Sequence, residues 1–149
     1  MEELHGYYIE DLREGMTAVY AKTVTDADVV LFAGISGDMN PVHLNHEFAR
    51  ETIFKGRIAH GMLTASFIST VLGSKLPGPG CIYISQTLRF RAPVRSGDTV
   101  HARVTVVAVD VGRNRVKVDT LCRVGETVVV EGEASLMVPA RQRAPAAAE

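Results

Sequence analysis

HGMLTASFISTVLG, residues 60–73, is the stretch on which the fold turns. Met62, Leu63, Ala65, Phe67, Ile68, Val71 and Leu72 are spread over all faces of the helix this run predicts, whereas a surface helix confines its apolar residues to one stripe. Such a helix has to be enclosed, and the rest of the chain must supply the enclosure. The segments that follow have the right character. Ile82–Arg91, Thr99–Val109, Val116–Val124 and Thr127–Val138 are β-branched, mostly alternating runs, separated by the turn-forming PVRSGD, DVGRN and VGE. Alternation is clearest in VKVDTLCRV: Val116, Val118, Thr120, Cys122 and Val124 share one face, while Lys117, Asp119 and Arg123 lie on the other.

Successive hairpins of this kind make an antiparallel sheet with one apolar face, and curling that sheet around the helix buries both at once. The predicted class is therefore α+β, in the hot-dog arrangement of an antiparallel sheet wrapped around a long central helix. N-terminal to the helix, Thr25 followed by Asp28 reads as a capping pair opening a short helix over residues 26–35. SGDMNPVH is dense in turn formers, and Pro41 disfavours helical geometry at Asn40, so residues 38–43 are predicted as a loop. A second short helix is predicted over residues 46–52. Residues 1–139 form a single domain in this reading, and the closing ARQRAPAAAE, residues 140–149, reads as a loose, disordered tail.

The chain's 149 residues suffice for one core without disulfides or metal. Sixteen Lys and Arg nearly cancel seventeen Asp and Glu, and aromatics make up 6% with no Trp, so neither the positive field nor the stacking surface that nucleic acid requires is present. No run of 18 apolar residues spans a bilayer, and the opening MEELHGYYIEDL lacks the apolar stretch of a signal peptide. Cys81 and Cys122 fit neither a C-x-x-C pair nor a disulfide framework and read as reduced packing residues. The expected location is cytoplasmic and the expected partner a small molecule or protein.

The polar groups forced together are few: Ser36, Asp38, Asn40 and His43 from one segment, with His60 and Gly61 at the start of the buried helix. A carboxylate and an imidazole a few residues apart can grip one water from two sides, and imidazole exchanges protons near neutrality. The unpaired amides of a helix N-terminus carry partial positive charge, and Gly61 has no Cβ to keep a carbonyl away.

FAGISGDMNPVHLNHEFARETIFKGRIAHGML, residues 32–63, resembles the hydratase motif of the MaoC-like, (R)-specific enoyl-CoA hydratases, with its G-D-x-N-P-apolar-H core intact as Gly37-Asp38-Met39-Asn40-Pro41-Val42-His43. The resemblance continues through residues 73–100 and covers most of the chain. It implies a hot-dog homodimer in which Asp38 and His43 activate one water for syn addition to a trans-2-enoyl-CoA, giving the (R)-3-hydroxyacyl-CoA. It implies Gly61 as oxyanion donor, Asn40 and Ser69 as further substrate-binding residues, and no metal or organic cofactor, coenzyme A being part of the substrate. Hydration of an unsaturated thioester needs a base, an acid and donors for the enolate oxygen, and the three groups answer those needs. Many relatives carry Asp two residues after the motif His, where this chain has Asn45.

Other readings of the same residues stand beside this one. Asp38 alone is a turn former, His43 alone a helix cap, and His60 reads as a structural group fixing the neighbouring loop rather than as a reacting one. Asp38, His43, His46 and His60 could together ligate a metal, although their spacing matches no known ligand signature. GISGD around Ser36 is not a nucleophile elbow. Lys55, Arg57, Arg89 and Arg91 are the cations that coenzyme A phosphates could meet, and Ser69, Leu72 and Leu76 the side chains expected to line an acyl tunnel. A carrier-protein dehydratase of fatty-acid synthesis, a hot-dog thioesterase and a non-catalytic acyl-CoA module are the alternative functions on this scaffold.

Overall fold

The computed structural model describes residues 2–142, so the tail expected over residues 140–149 lies outside the described residues except for Ala140, Arg141 and Gln142. Short 3-10 turns at Glu2–Leu4 and Ile9–Asp11 lead into strand β1 (Thr17–Thr23), then helices α1 (Asp26–Ser36), α2 (Pro41–Leu44), α3 (His46–Glu51) and α4 (Gly61–Ser74). Strands β2 (Ile82–Gln86), β3 (Arg89–Phe90), β4 (Thr99–Asp110), β5 (Arg115–Val124) and β6 (Thr127–Met137) follow. The strands form one antiparallel sheet in the order β1-β4-β5-β6-β2, with β3 also pairing β6.

The apolar face of this sheet closes over α4, as the α+β reading expected. Phe67, Ile68, Val71 and Leu72 of the helix meet Val100, Ala102, Val104 and Val106 of β4, Val116 and Val118 of β5, and Ala134 and Leu136 of β6, all within 5% of complete burial. Each such side chain contributes about 1.5–3 kcal/mol on leaving water. The face assignment in β5 holds residue by residue: Val116, Val118, Thr120 and Cys122 are buried, and Lys117, Asp119 and Arg123 are exposed. Wrapping is incomplete, however. Met62, Ser66, Ser69 and Gly73 form an exposed stripe along α4, because the sheet curls past only part of the helix and mostly small side chains occupy the remainder.

Three expectations need correction. β1 pairs with β4 in the half of the chain that read as helix and loop; as an edge strand with half-covered residues on both faces it lacks the alternation that marks a strand. The run predicted as one strand over residues 82–91 is two, β2 and β3. The Thr87 main chain and hydroxyl both engage Glu133, and the Thr87 carbonyl lies so close to Gly132 of β6 that any Cβ there would collide with it. The segment predicted as a loop over residues 38–43 contains α2: Asn40 is non-helical as expected, but its side chain accepts the Val42 amide at 3.1 Å and Pro41 starts the turn. The Thr25–Asp28 capping box at α1 is present in both directions, at 3.1 and 2.9 Å.

The N-terminal segment straps across the far end of α4, its Gly6 and Tyr7 amides donating to the Pro79 and Pro77 carbonyls at 2.8 Å each. Arg141 grips the Asp11 carboxylate with both guanidinium nitrogens, at 2.7 and 2.9 Å, and holds that carboxyl below its usual range.

Ile68 is fully buried at the centre of the helix–sheet contact, so Ile68→Ala is expected to destabilise the fold by about 2–5 kcal/mol. Urea unfolding measures this, and a loss under about 1 kcal/mol would show that the sheet does not close over α4 at that level.

Candidate active site

A cavity of about 410 Å³ opens at the N-terminal end of α4. Asp38, His43, His60 and Gly61 line it, against an apolar wall that includes Phe54, Ile58, Phe90, Val94 and Val130. One carboxylate oxygen of Asp38 and one ring nitrogen each of His43 and His60 lie within 4.8 Å of one another.

Each polar group is held by main chain. The turn of α2, started by Asn40 and Pro41, carries His43 inward, where it is 8% exposed and its Nδ1 lies 2.8 Å from the Ile58 carbonyl. A carbonyl oxygen only accepts, so Nδ1 bears a proton, and in the neutral ring Nε2 carries the lone pair. By the same reasoning the Nε2–H of His60 donates to the main-chain carbonyl of Asp38, at 2.9 Å. The two imidazoles stack with centroids 3.8 Å apart, and Phe32 closes over His60 at 4.9 Å. The Asp38 side chain reaches the cavity with Oδ1 accepting the Asn40 amide at 3.1 Å, and the Asp38 amide donates to Ser36 Oγ at the same distance. Its exposed carboxylate therefore stands beside two buried rings whose orientations are fixed.

Gly61 opens α4. Neither its amide nor that of Met62 donates to any group among the described residues, so two donors with the helix's partial positive charge face the cavity end. A Cβ on Gly61 would stand 2.7 Å from the Phe90 ring, so only glycine fits between that ring and the helix start.

The other expected residues are placed differently. Asn40 does not line the cavity; it caps α2. Ser69 lies two turns along α4 on the exposed stripe, and Leu72 and Leu76 belong to the core instead of to a tunnel. Ser36 Oγ donates to the Phe32 carbonyl at 2.7 Å, a structural bond. His46 is exposed on α3 and stands outside the Asp38–His43–His60 cluster, which removes one member of the four-ligand metal reading. Asn45 caps α3, its Oδ1 accepting the Phe48 amide at 2.9 Å; Asp and Asn do this equally well. Of the four cations, Arg91 lines the cavity and reaches Glu131 at 3.6 Å, Arg57 pairs with Asp26 at 3.0 Å, Arg89 lines a different groove on the sheet, and Lys55 is exposed.

Sequence reasoning missed two parts of the site. The apolar wall comes from Phe54, Phe90 and Val130, distant in sequence and marked by nothing but hydrophobicity. Arg95 ties the segment before α4 in place, donating to the Phe54 carbonyl at 2.5 Å and the Arg57 carbonyl at 3.4 Å. An arginine inside a turn-forming run carries no signal of such a role.

A family model described as "MaoC like domain" matches residues 10–132. Over 140 residues the chain is 54% identical to the (R)-specific enoyl-CoA hydratase of Rhodospirillum rubrum, which covers 94% of this chain and 97% of that protein. It is 50% identical to the 3-hydroxybutyryl-CoA dehydratase of Methylorubrum extorquens, with coverage of 97% and 92%. Among solved structures, the (R)-hydratase from A. caviae involved in PHA biosynthesis superposes with a TM-score of 0.84 at 40% identity, covering 87% of this chain and 99% of that one.

Neither thiol is poised as a nucleophile. Burial pushes the Cys122 thiol up to about 12 and raises that of Cys81, and a raised pKa lowers the reactive thiolate fraction at any given pH. Iodoacetamide at pH 8 is therefore expected to label the native protein far more slowly than the urea-unfolded chain. Equal rates in the two states would contradict the burial of Cys122.

Proposed function

The chain belongs to the MaoC-like domain family, and we propose that, as an (R)-specific enoyl-CoA hydratase, it adds water reversibly to a trans-2-enoyl-CoA to give the (R)-3-hydroxyacyl-CoA. The observation that carries this reading is the pairing of Asp38 and His43 in one cavity with the unpartnered Gly61 amide at its wall. In this mechanism the Asp38 carboxylate and His43 Nε2 hold one water between them. His43 Nε2 takes a proton as the water oxygen bonds to C3. The electron pair of the C2–C3 double bond moves onto the thioester oxygen, where the Gly61 amide stabilises the developing enolate. Collapse of the enolate takes that proton from His43 at C2. Because the oxygen and the proton come from the same side of the substrate, the addition is syn, and the reverse sequence is the dehydration.

The walls match the substrate class. Apolar Phe54, Ile58, Val94 and Val130 suit an acyl chain and exclude bulk water, which strengthens the polar contacts within. We further propose a homodimer. The edge strand β2 presents Ile82, Tyr83 and Ile84 at 39–53% exposure, an apolar edge that pairing with a second copy would cover. Two free cysteines suit a reducing, cytoplasmic setting, and no helix among the described residues is long and apolar enough to cross a membrane.

The test is to offer crotonyl-CoA and longer enoyl-CoAs, follow loss of the conjugated double bond, and resolve the product's chirality. The (R)-product is expected. Asp38→Asn and His43→Ala should each lower hydration by at least about a hundredfold while leaving a folded protein, the scale of a positioned acid or base. Near-normal hydration in both variants would overturn the assignment, and release of free coenzyme A without hydration would mark a thioesterase. Gly61→Ala keeps the amide but drives a methyl into the Phe90 ring, so either that ring or the start of α4 must shift; hydration is expected to fall by at least about tenfold, as for a small misplacement of a positioned group.

A further inference from the structure

Two buried polar atoms have no partner among the described residues, His60 Nδ1 and Thr64 Oγ1. Their residues are 2% and 1% exposed, and both line the cavity. A buried polar atom left unpaired loses its hydration with nothing in return, so two in one wall require an explanation. His60 is the residue just before α4 and Thr64 lies in its first turn, the Thr64 amide donating to the His60 carbonyl at 3.3 Å. Their chemistry is complementary. The Nε2–H of His60 is committed to the Asp38 carbonyl, which leaves Nδ1 an acceptor only, whereas a threonine hydroxyl both donates and accepts. Nothing packed nearby meets either atom: Cys122 Sγ approaches the Thr64 carbonyl at 3.9 Å, not its hydroxyl, and Phe32 and His43 offer His60 ring faces.

We propose, resting on the hydration reading above, that Thr64 is a positioning residue whose hydroxyl holds one resident water against His60 Nδ1, a water distinct from the one consumed. The two atoms make no direct hydrogen bond, and one water between two buried polar partners satisfies both. This water donates to Nδ1 and so excludes the tautomer in which Nδ1 carries the proton. His60 is thereby kept as the donor to the Asp38 carbonyl, and the Asp38 carboxylate is kept in register with His43. Without the hydroxyl, only the Asp38 carbonyl favours the Nε2–H form, so the Nδ1–H form gains population, the carbonyl loses its donor for part of the time, and the carboxylate shifts relative to the stacked ring.

Thr64→Val keeps the shape and removes the hydroxyl; Thr64→Ser keeps the hydroxyl. With ¹⁵N-histidine labelling, the wild-type protein and Thr64→Ser should show His60 as a single Nε2–H tautomer, and Thr64→Val a mixture with the Nδ1–H form. In crotonyl-CoA hydration, Thr64→Val should lower kcat by about ten- to a hundredfold with KM within about twofold, as expected for a small misplacement of reacting groups, and Thr64→Ser should restore most of it. An unchanged His60 spectrum in Thr64→Val, or a kcat loss that Thr64→Ser shares, overturns the proposal. If Thr64→Val does not fold, water cross-relaxation in the wild-type protein decides: a long-lived water contacting both the Thr64 methyl and the His60 ring supports the proposal, and its absence refutes it. Failure of the wild-type protein to hydrate any enoyl-CoA would sink the hydration reading alone, because the nitrogen spectra do not depend on turnover.

Discussion

The contact between α4 and the concave face of the sheet is the constraint from which the rest of the molecule follows. Ile68, Val71 and Leu72 have no accessible surface beyond 1%, and the valines of β4 and β5 that cover them are equally enclosed. A helix held this way cannot turn or slide without breaking close packing on the covered sides, so its first residue is fixed in space to the accuracy of the core. That accuracy is passed on to Gly61, whose amide has no helical acceptor, and to His60 just before it. The polar end of the cavity is thus an outcome of where the most apolar helix of the chain begins.

Around that fixed point the polar groups are held by carbonyls and not by one another. His43 bonds to Ile58, His60 to Asp38, and Arg95 to Phe54 and Arg57, so the segments 38–43 and 54–60 are stitched through atoms that every residue type possesses. Carbonyl acceptors also favour the tautomer in which the bonded imidazole nitrogen carries the N–H, because they accept hydrogen bonds and never donate them. The carboxylate of Asp38, in contrast, is exposed and, among the described residues, anchored only by the Asn40 amide, which leaves it available to an incoming molecule.

The buried helix, the four long strand runs and the motif from Gly37 to His43 were legible because each is a pattern within a short window. The Asp38, His43 and Gly61 grouping followed from the same motif together with the helix start. Asn40, expected to bind substrate, caps α2 through its side-chain oxygen, and a cap and a ligand use that same oxygen, so sequence does not separate the two. Ser69, expected at the substrate, stands on the exposed stripe of α4 and does not line the cavity: helical periodicity says which residues share a face but not which face the sheet leaves open. β1 and the break at Thr87 depend on pairings with residues 99–105 and 131–133, and the apolar wall on Val130, all long-range relations that no local window contains. The change from Asp to Asn at residue 45 became interpretable only once α3 showed that the position needs an acceptor and not a charge.

The cavity wall is drawn from separate stretches around residues 38–43, 54–64, 90–94 and 130, and the Ile58 and Ala59 amides bridge two of the gaps by donating to Val42 and Val94 at 3.3 and 2.7 Å. A pocket assembled in this way has no independent lifetime. Loosening one stretch withdraws support from the next, so the reacting groups are expected to lose their alignment together. On gradual heating, loss of activity is then expected once any one of these stretches loosens.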